Sequence, residues 1–209
     1  MLRYVWAWAK NWEPVEQEDR ELSFAHAEDA RPHIEAHLRV AYQLVRCLRG
    51  RTRGNATTLS DRDFDEAKFE ASLREKNLPF VTSYFHAVRL ELAVLFGDYD
   101  LAVRVLEEAD RYVDVAVAQY FATGVIFRGA FLAAVQSGQG SRDERAKWLA
   151  DYERREAKLL ALAESCPQNF RHRLDLVRAE RARVEGRDIE ALNLSMRPSR
   201  GCSEWVCQG

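Results

Sequence analysis

Residues 97–102 are Gly-Asp-Tyr-Asp-Leu-Ala, and residues 186–191 are Gly-Arg-Asp-Ile-Glu-Ala. In each stretch a glycine precedes an alanine by five positions. Glycine ends a helix at little cost because it enters the left-handed backbone conformation, and a small alanine lets the next helix approach closely. Both stretches therefore predict the tight turn of an antiparallel helix hairpin, the unit of tetratricopeptide-like arrays.

The spacing of the two turns leaves two architectures open. Gly97 and Gly186 are not separated by a multiple of the repeat period of about 34 residues that such arrays have. The pattern is therefore that of a degenerate array of stacked hairpins, and an ordinary helical bundle with two similar turns is the alternative.

Outward from these turns, apolar residues recur three and four positions apart, which is the helix period, and no segment alternates as a strand would. Gly124 and Gly129 predict close helix packing, and Pro79 fits the first turn of a helix. Ser60 with Asp63, and Ser141 with Glu144, predict capping boxes that open helices. The predicted helices are 34–48, 60–75, 79–96, 101–112, 115–135, 142–165, 170–185 and 188–194.

Composition narrows the class of protein. Hydrophobic residues make up 47% of the 209 residues, and 31 basic residues stand against 33 acidic ones, so the chain predicts a folded protein without broad attraction to nucleic acid or anionic lipid. The most apolar stretch, 113–135, is interrupted by Asp114 and Arg128, which disfavours a membrane span. The start lacks the order of a signal peptide, and four cysteines do not form a disulfide framework, so we expect a cytoplasmic protein.

Several stretches of residues 64–194 carry a resemblance to known proteins. They are 95–102, 109–114, 166–172 and 177–187. The chain resembles the helical-repeat region of very large bacterial signalling proteins. Those proteins combine a Ser/Thr kinase-like domain, a STAND-type AAA ATPase, a tetratricopeptide-like arm, a GAF domain and a histidine kinase or other output domain.

The resemblance implies a fold, a domain organisation and a function. The expected fold is all-α, a right-handed tetratricopeptide-like stack of antiparallel helix pairs over residues 19–194, after an irregular segment 1–18. The expected function is a non-catalytic arm that contacts protein or peptide surfaces or neighbouring domains, while ATP and phosphotransfer chemistry belong to other domains. Residues 195–209 depart from the family pattern, contain Pro198, and look like an out-of-frame end, so we expect the chain to be a fragment.

No catalytic, cofactor or metal site is predicted. Gly124 and Gly129 have the spacing of a phosphate-binding loop, but no Lys and hydroxyl residue follow. Residues 172–176 have the wrong spacing for a kinase catalytic loop. His33 and His37 could share a zinc ion but lack a third ligand, and we expect both to face solvent. Cys202 and Cys207 lie in the aberrant tail, and His86 is expected to be a core or groove residue.

The first helices of the hairpins supply the candidate interaction residues Tyr84, Arg89, Arg128 and Arg178. Solenoid arrays use such a face to bind peptides or domains. An alternative function is a stand-alone helical sensor that binds a small molecule in a cavity beside the apolar helix 115–135. A truncated array also exposes an apolar edge, so we expect self-association through residues 188–194.

Overall fold

The computed structural model describes residues 32–116 and 119–197, and these residues form α-helices, one 3₁₀ turn and connecting loops without any strand. The all-α prediction is confirmed. The predicted segment 1–18, the start of the predicted repeat domain and the tail from residue 198 lie outside the described residues. The helices are α1 (Pro32–Leu48), α2 (Glu66–Glu75), α3 (Pro79–Leu95), α4 (Tyr99–Tyr112), α5 (Tyr120–Gln136), α6 (Arg142–Ser165), α7 (Pro167–Val184) and α8 (Asp188–Ser195), with the 3₁₀ turn Val113–Ala116 after α4.

Both glycine turns form as predicted. Gly97 has φ +72° and Gly186 has φ +75°, so each glycine is in the left-handed region. In the first turn the Asp98 N–H donates to the Ala93 carbonyl, and in the second the Arg187 N–H donates to the Ala182 carbonyl. These bonds satisfy the last carbonyls of α3 and α7, which is the Schellman termination of a helix.

The helices from α3 onward follow one contact scheme. α3 pairs with α4, α5 with α6, and α7 with α8, as three successive hairpins. The first helices of successive hairpins, α3, α5 and α7, also contact one another in chain order, and α1 packs against α3. Within the described residues, the backbones of α4 and α6 do not come into close contact, and neither do those of α6 and α8.

The apolar core is divided into two clusters along this row. The larger one joins α1, α2, α3, α4 and part of α5, together with Leu59 and Phe64 from the loop before α2. The smaller one joins the rest of α5 to α6 and α7 through residues such as Leu159 and Leu174. Trp148 of α6 contacts both clusters, so the two halves of the core are continuous.

Of the three helix starts predicted from a proline or a capping box, two hold and one is wrong. Pro79 occupies the first turn of α3, and the Ser141 hydroxyl and Glu144 carboxylate form the predicted capping box of α6. The box at Ser60 and Asp63 is not formed, because α2 begins only at Glu66 with Asp65 as its cap. Side-chain bonds within the loop compete with the helix there: the Asp61 carboxylate accepts from the backbone N–H groups of residues 63 and 64.

The long helix predicted over 115–135 is shorter at its start. Val115 belongs to the 3₁₀ turn, and α5 begins at Tyr120 after Gln119, whose backbone is extended. Apolar periodicity alone cannot detect such a break, because the turn residues are as apolar as those of the helix.

The prediction of close packing is confirmed at Gly129, where the residue that packs against the glycine is Arg155 of α6. A Cβ at this position would lie 2.5 Å from Nη1 of Arg155, a buried side chain of α6 that is 4% exposed. Arg155 Nε donates to Asp151 Oδ2 at 2.7 Å, and its Nη1 donates to Asp110 Oδ1 of α4 at 3.1 Å. The glycine therefore makes room for a buried arginine that links α4 to α6.

None of the helices in the described parts of the chain combines the length and apolar character needed to cross a membrane.

Candidate interaction surface on the first helices

The face formed by α1, α3, α5 and α7, called here the first-helix face, collects side chains from four helices that are distant in sequence. α3 lies at its centre and is packed against α1, α2, α4 and α5, so every residue from Val81 to Val88 is buried. Few polar groups of α3 remain partly accessible, and one of them, Glu91, lies at this face.

Aromatic rings form one end of the first-helix face. His37 of α1 stacks on Tyr84 of α3 with ring centroids 4.1 Å apart, and Tyr84 lies 5.3 Å from Phe121 and 6.5 Å from Tyr120. Burial raises the pKa of Tyr84 far above its ordinary value, so the phenol stays protonated. Tyr84 is only 5% exposed. Of the two tyrosines, Tyr120 therefore offers the accessible ring.

The two histidines of α1 differ. His33 is exposed as predicted, but His37 is partly buried by its stack on Tyr84, so the prediction that both face solvent is wrong for His37. Burial lowers the pKa of His37. It therefore serves the aromatic packing between α1 and α3 rather than a solvated surface.

Charged groups continue the face toward α7. Arg128 of α5 forms an ion pair with Glu91 of α3. Burial lowers the pKa of Arg173 of α7, the charge of Arg128 lowers it further, and the carboxylate of Glu91 partly opposes this. Three successive first helices thus place two guanidinium groups and one carboxylate together.

Arg173 is held in place without an ionic partner. Its Nη1 donates to Thr123 Oγ1 at 3.3 Å, and its guanidinium carbon lies 5.8 Å from the centroid of the Phe127 ring and 5.7 Å from that of Phe170. Within residues 32–116 and 119–197, no carboxylate forms an ion pair with this arginine. Cation–π contact orients the guanidinium but leaves most of its five N–H donors without a protein acceptor there.

Arg89 lies away from this face. On α3 it follows Tyr84 by five residues, which turns its side chain to another side of the helix. Its Nε lies 2.5 Å from Glu66 Oε1 and its Nη1 lies 3.6 Å from Glu70 Oε2, both on α2. Glu66 in turn accepts from the Leu59 N–H at 3.0 Å. Arg89 therefore ties the loop before α2 to α3.

Arg178 also points elsewhere. It lies five residues after Arg173 on α7, and its Nε donates to Glu156 Oε1 of α6 at 2.7 Å. Of the four predicted residues, the structure brings Tyr84 and Arg128 to the first-helix face. It places Arg89 against α2 and Arg178 against α6.

Sequence reasoning missed Arg173, Glu91, Tyr120 and Phe127 at this surface. Arg173 lies within the kinase-like stretch 172–176, and nothing in its own segment distinguishes it from the other arginines of α7. Their convergence depends on which sides of α3, α5 and α7 face one another, which a single sequence does not state.

Away from this face, His86 is a titratable group in the core. It is fully buried, which agrees with the first of the two predicted placements, core or groove, and neither ring nitrogen has a hydrogen-bond partner among the described residues. Glu70 Oε1 lies 3.9 Å from His86 Nε2, but the Glu70 carboxylate is already paired with Arg74 and Arg89. Within the same residues, no three His, Cys, Asp or Glu side chains are grouped to hold a metal ion.

A small charged cleft lies on the opposite side of α5. It has a volume of about 220 Å³ and is lined by Asp110, Val113, Asp114, Ile126, Arg154, Arg155 and Lys158. Small-molecule sites usually enclose about 300–1,000 Å³ with mostly apolar walls. This cleft is smaller and charged, so the first-helix face is the stronger candidate for binding.

The described side chains of the first-helix face offer oriented cations, an accessible phenol and aromatic rings. No family model, no curated protein and no solved structure matches the chain.

Proposed function

We propose that this chain is a non-catalytic, tetratricopeptide-like helical-repeat arm that contacts protein or peptide surfaces in a cytoplasmic bacterial signalling protein of the kinase and ATPase type. The observation that carries the proposal is the contact scheme. The backbones of first helices of successive hairpins come into close contact, whereas those of the described second helices α4, α6 and α8 do not, although Arg155 of α6 reaches Asp110 of α4. Right-handed stacking of repeated hairpins has this scheme, since the first helices line the inner side.

The dependence of α5 on neighbouring helices supports the same function. α5 packs against α3, α4, α6 and α7, so its hairpin is completed only by its neighbours. Repeat proteins have this dependence because one hairpin cannot bury its own apolar face. Such proteins act through an extended surface rather than an enclosed pocket, and the first-helix face fits that use.

A thermal-shift comparison tests the proposal. The purified chain is heated with pools of random dodecapeptides and, separately, with a panel of metabolites. We expect peptides to raise the unfolding midpoint, since a ligand of the native state stabilises it by mass action. Tyr120→Ala removes an accessible ring of the first-helix face and should reduce the shift.

Val115→Ala is the matched control, because Val115 is 48% exposed and Tyr120 is 46% exposed, and Val115 lies in the 3₁₀ turn. A shift with metabolites and none with peptides would reject the arm and favour the small-molecule sensor. The one observation that favours the sensor is the cleft beside Ile126 of α5.

A further inference from the structure

We infer that the first-helix face binds an acidic peptide segment, whose carboxylate is received by Arg173 together with Arg128. The inference rests on the proposed function and names the chemistry of the partner. It starts from an imbalance of charge, because Arg128 is paired with Glu91 whereas Arg173 on the adjacent first helix has no carboxylate partner among the described residues.

Arg173 carries the larger part of the argument. It is partly buried, yet its one hydrogen bond among the described residues is to the Thr123 hydroxyl. The partly buried Arg89 and Arg128 and the buried Arg155 each have a carboxylate partner. A desolvated guanidinium is stabilised by a carboxylate, which accepts two of its N–H donors in parallel.

The aromatic rings around Arg173 fix the orientation of its guanidinium group. Phe127 and Phe170 flank the guanidinium within 6 Å, and Thr123 holds one of its nitrogens. The side chain is therefore ordered before a partner arrives, which lowers the entropic cost of binding. Tyr120 precedes Thr123 by three residues on α5, so it lies on the same side of that helix, and its exposed ring is available to a peptide held at Arg173.

Arg128 extends the same surface. Its guanidinium already binds Glu91, so it presents a positively charged edge without requiring a partner. A peptide with a second acidic residue would meet this edge, whereas a basic peptide would be repelled by both arginines. Electrostatic complementarity of this kind selects partners more than it adds raw affinity.

The test selects peptides without assuming their sequence. A phage-displayed library of random dodecapeptides is panned on the folded chain, and selected peptides are synthesised with a fluorescein label. Binding is then measured by fluorescence anisotropy for the wild type, for Arg173→Gln and for Arg128→Gln. Arg145→Gln, at an exposed arginine of α6, is the matched control. Circular dichroism of each variant verifies that it remains folded.

We expect the selected peptides to be enriched in Asp and Glu and to bind more weakly as salt is raised. Arg173→Gln should weaken binding at least about tenfold, since a hydrogen bond to a charged group contributes that much or more. Arg145→Gln should leave binding unchanged. Panning on Arg173→Glu should shift the selection toward basic peptides.

Two results overturn the inference in different ways. Selected peptides that are neutral or basic, or that bind the two glutamine variants as tightly as the wild type, reject the acidic partner while the peptide-binding arm stands. Failure to select any saturable binder, with a folded chain and a metabolite-induced thermal shift, rejects the arm itself.

Discussion

The first and last hairpins share a turn but not a core. α3 and α4 are joined at Gly97, and α7 and α8 at Gly186, with nearly the same φ and the same pair of terminating hydrogen bonds. Yet α4 has 14 residues with Ala102, Val105, Leu106 and Ala109 buried, whereas α8 has eight residues with only Leu194 buried.

The two hairpins also differ at the start of the second helix. The Asp98 carboxylate accepts from the Leu101 N–H at 3.1 Å and so caps α4, whereas Arg187 makes no side-chain cap for α8. Ile189 is 79% exposed and Leu192 is 58% exposed on α8. The same turn therefore forms in both hairpins because its interactions are local. The stability of the helix that follows depends instead on packing against neighbouring helices.

The largest expected effect comes from the buried side of the comparison. Leu90→Ala in α3 should lower the free energy of unfolding by about 2–5 kcal/mol, because Leu90 is fully buried and the change leaves a cavity. Leu192→Ala in α8 should cost less than about 0.5 kcal/mol. Urea unfolding measures both. Equal losses would mean that α8 is packed in solution as firmly as α3.

The second largest effect is expected on acidification, which should lower the free energy of unfolding through His86 of α3. Burial lowers the pKa of His86 from 6.5 to about 4, with Arg89, Arg74 and Arg111 adding to the shift. His86 therefore binds a proton near pH 6.5 in the unfolded chain but only near pH 4 in the folded chain. The free energy of unfolding consequently falls as the pH is lowered from about 6.5 to about 4. The loss reaches up to about 3 kcal/mol.

Urea unfolding at pH 7, 6, 5 and 4 measures that loss. His86→Phe should reduce the pH dependence, leaving a smaller part to which His37 contributes because burial also lowers its pKa, and His33→Gln is the control at an exposed histidine. An unaltered slope in His86→Phe would show that other groups cause the pH dependence.

The shared turn should respond to substitution differently in the two hairpins. A Cβ at Gly97 or at Gly186 would meet nothing within 4 Å, so alanine adds only backbone strain of about 1–2 kcal/mol. Gly97→Ala should lower global stability by that amount. Gly186→Ala should instead speed amide exchange in α8 and leave the unfolding midpoint nearly unchanged. Equal shifts of the midpoint would contradict the difference.

The cap on α4 should contribute about 1 kcal/mol. Asp98→Ala removes it, together with the bond from the Thr57 hydroxyl at 3.4 Å, and should lower the urea midpoint. Asp98→Asn is the conservative control, since asparagine also caps helices. Arg187→Asn should supply α8 with the missing cap and slow its amide exchange. No change in either hairpin would remove capping as a reason for their difference.

The smallest effect on folding, with a distinct effect on association, is expected at the exposed end. Ile189, Leu192 and Met196 leave an apolar surface on and just after α8, in keeping with the predicted self-association. Ile189→Glu should reduce association in sedimentation velocity runs at rising concentration and change stability by less than about 0.5 kcal/mol. Val115→Glu is the control. A wild-type chain that stays monomeric at millimolar concentration would count against the interface.

Much of the helix pattern could be predicted from sequence because its signals are local. Gly97, Gly186, Pro79 and the Ser141–Glu144 pair each act within a few residues, and all four behave as expected. The start of α2 was mispredicted because Ser60 lies in a loop whose own side chains bind its backbone. The hydroxyl of Ser60 accepts from the Glu66 N–H rather than capping a helix at residue 60.

The candidate site was less accessible to sequence reasoning, for a geometric reason. Arg89, Arg128 and Arg178 look equivalent in sequence, since each lies on the first helix of a hairpin. Their positions around the helix turn them to different sides, where each meets an acidic residue of α2, α3 or α6 respectively. Arg173 differs from them because no carboxylate forms an ion pair with it among the described residues.

Arg155, which packs beneath α5, restricts which substitutions this chain can accept during evolution. Asp110, Gly129 and Arg155 lie on three helices, and each constrains the others: the glycine admits the arginine, and the aspartate neutralises it. In related chains these three positions should covary. A chain that has lost the arginine is free to carry a larger residue at the glycine, while one that keeps the arginine has no such freedom.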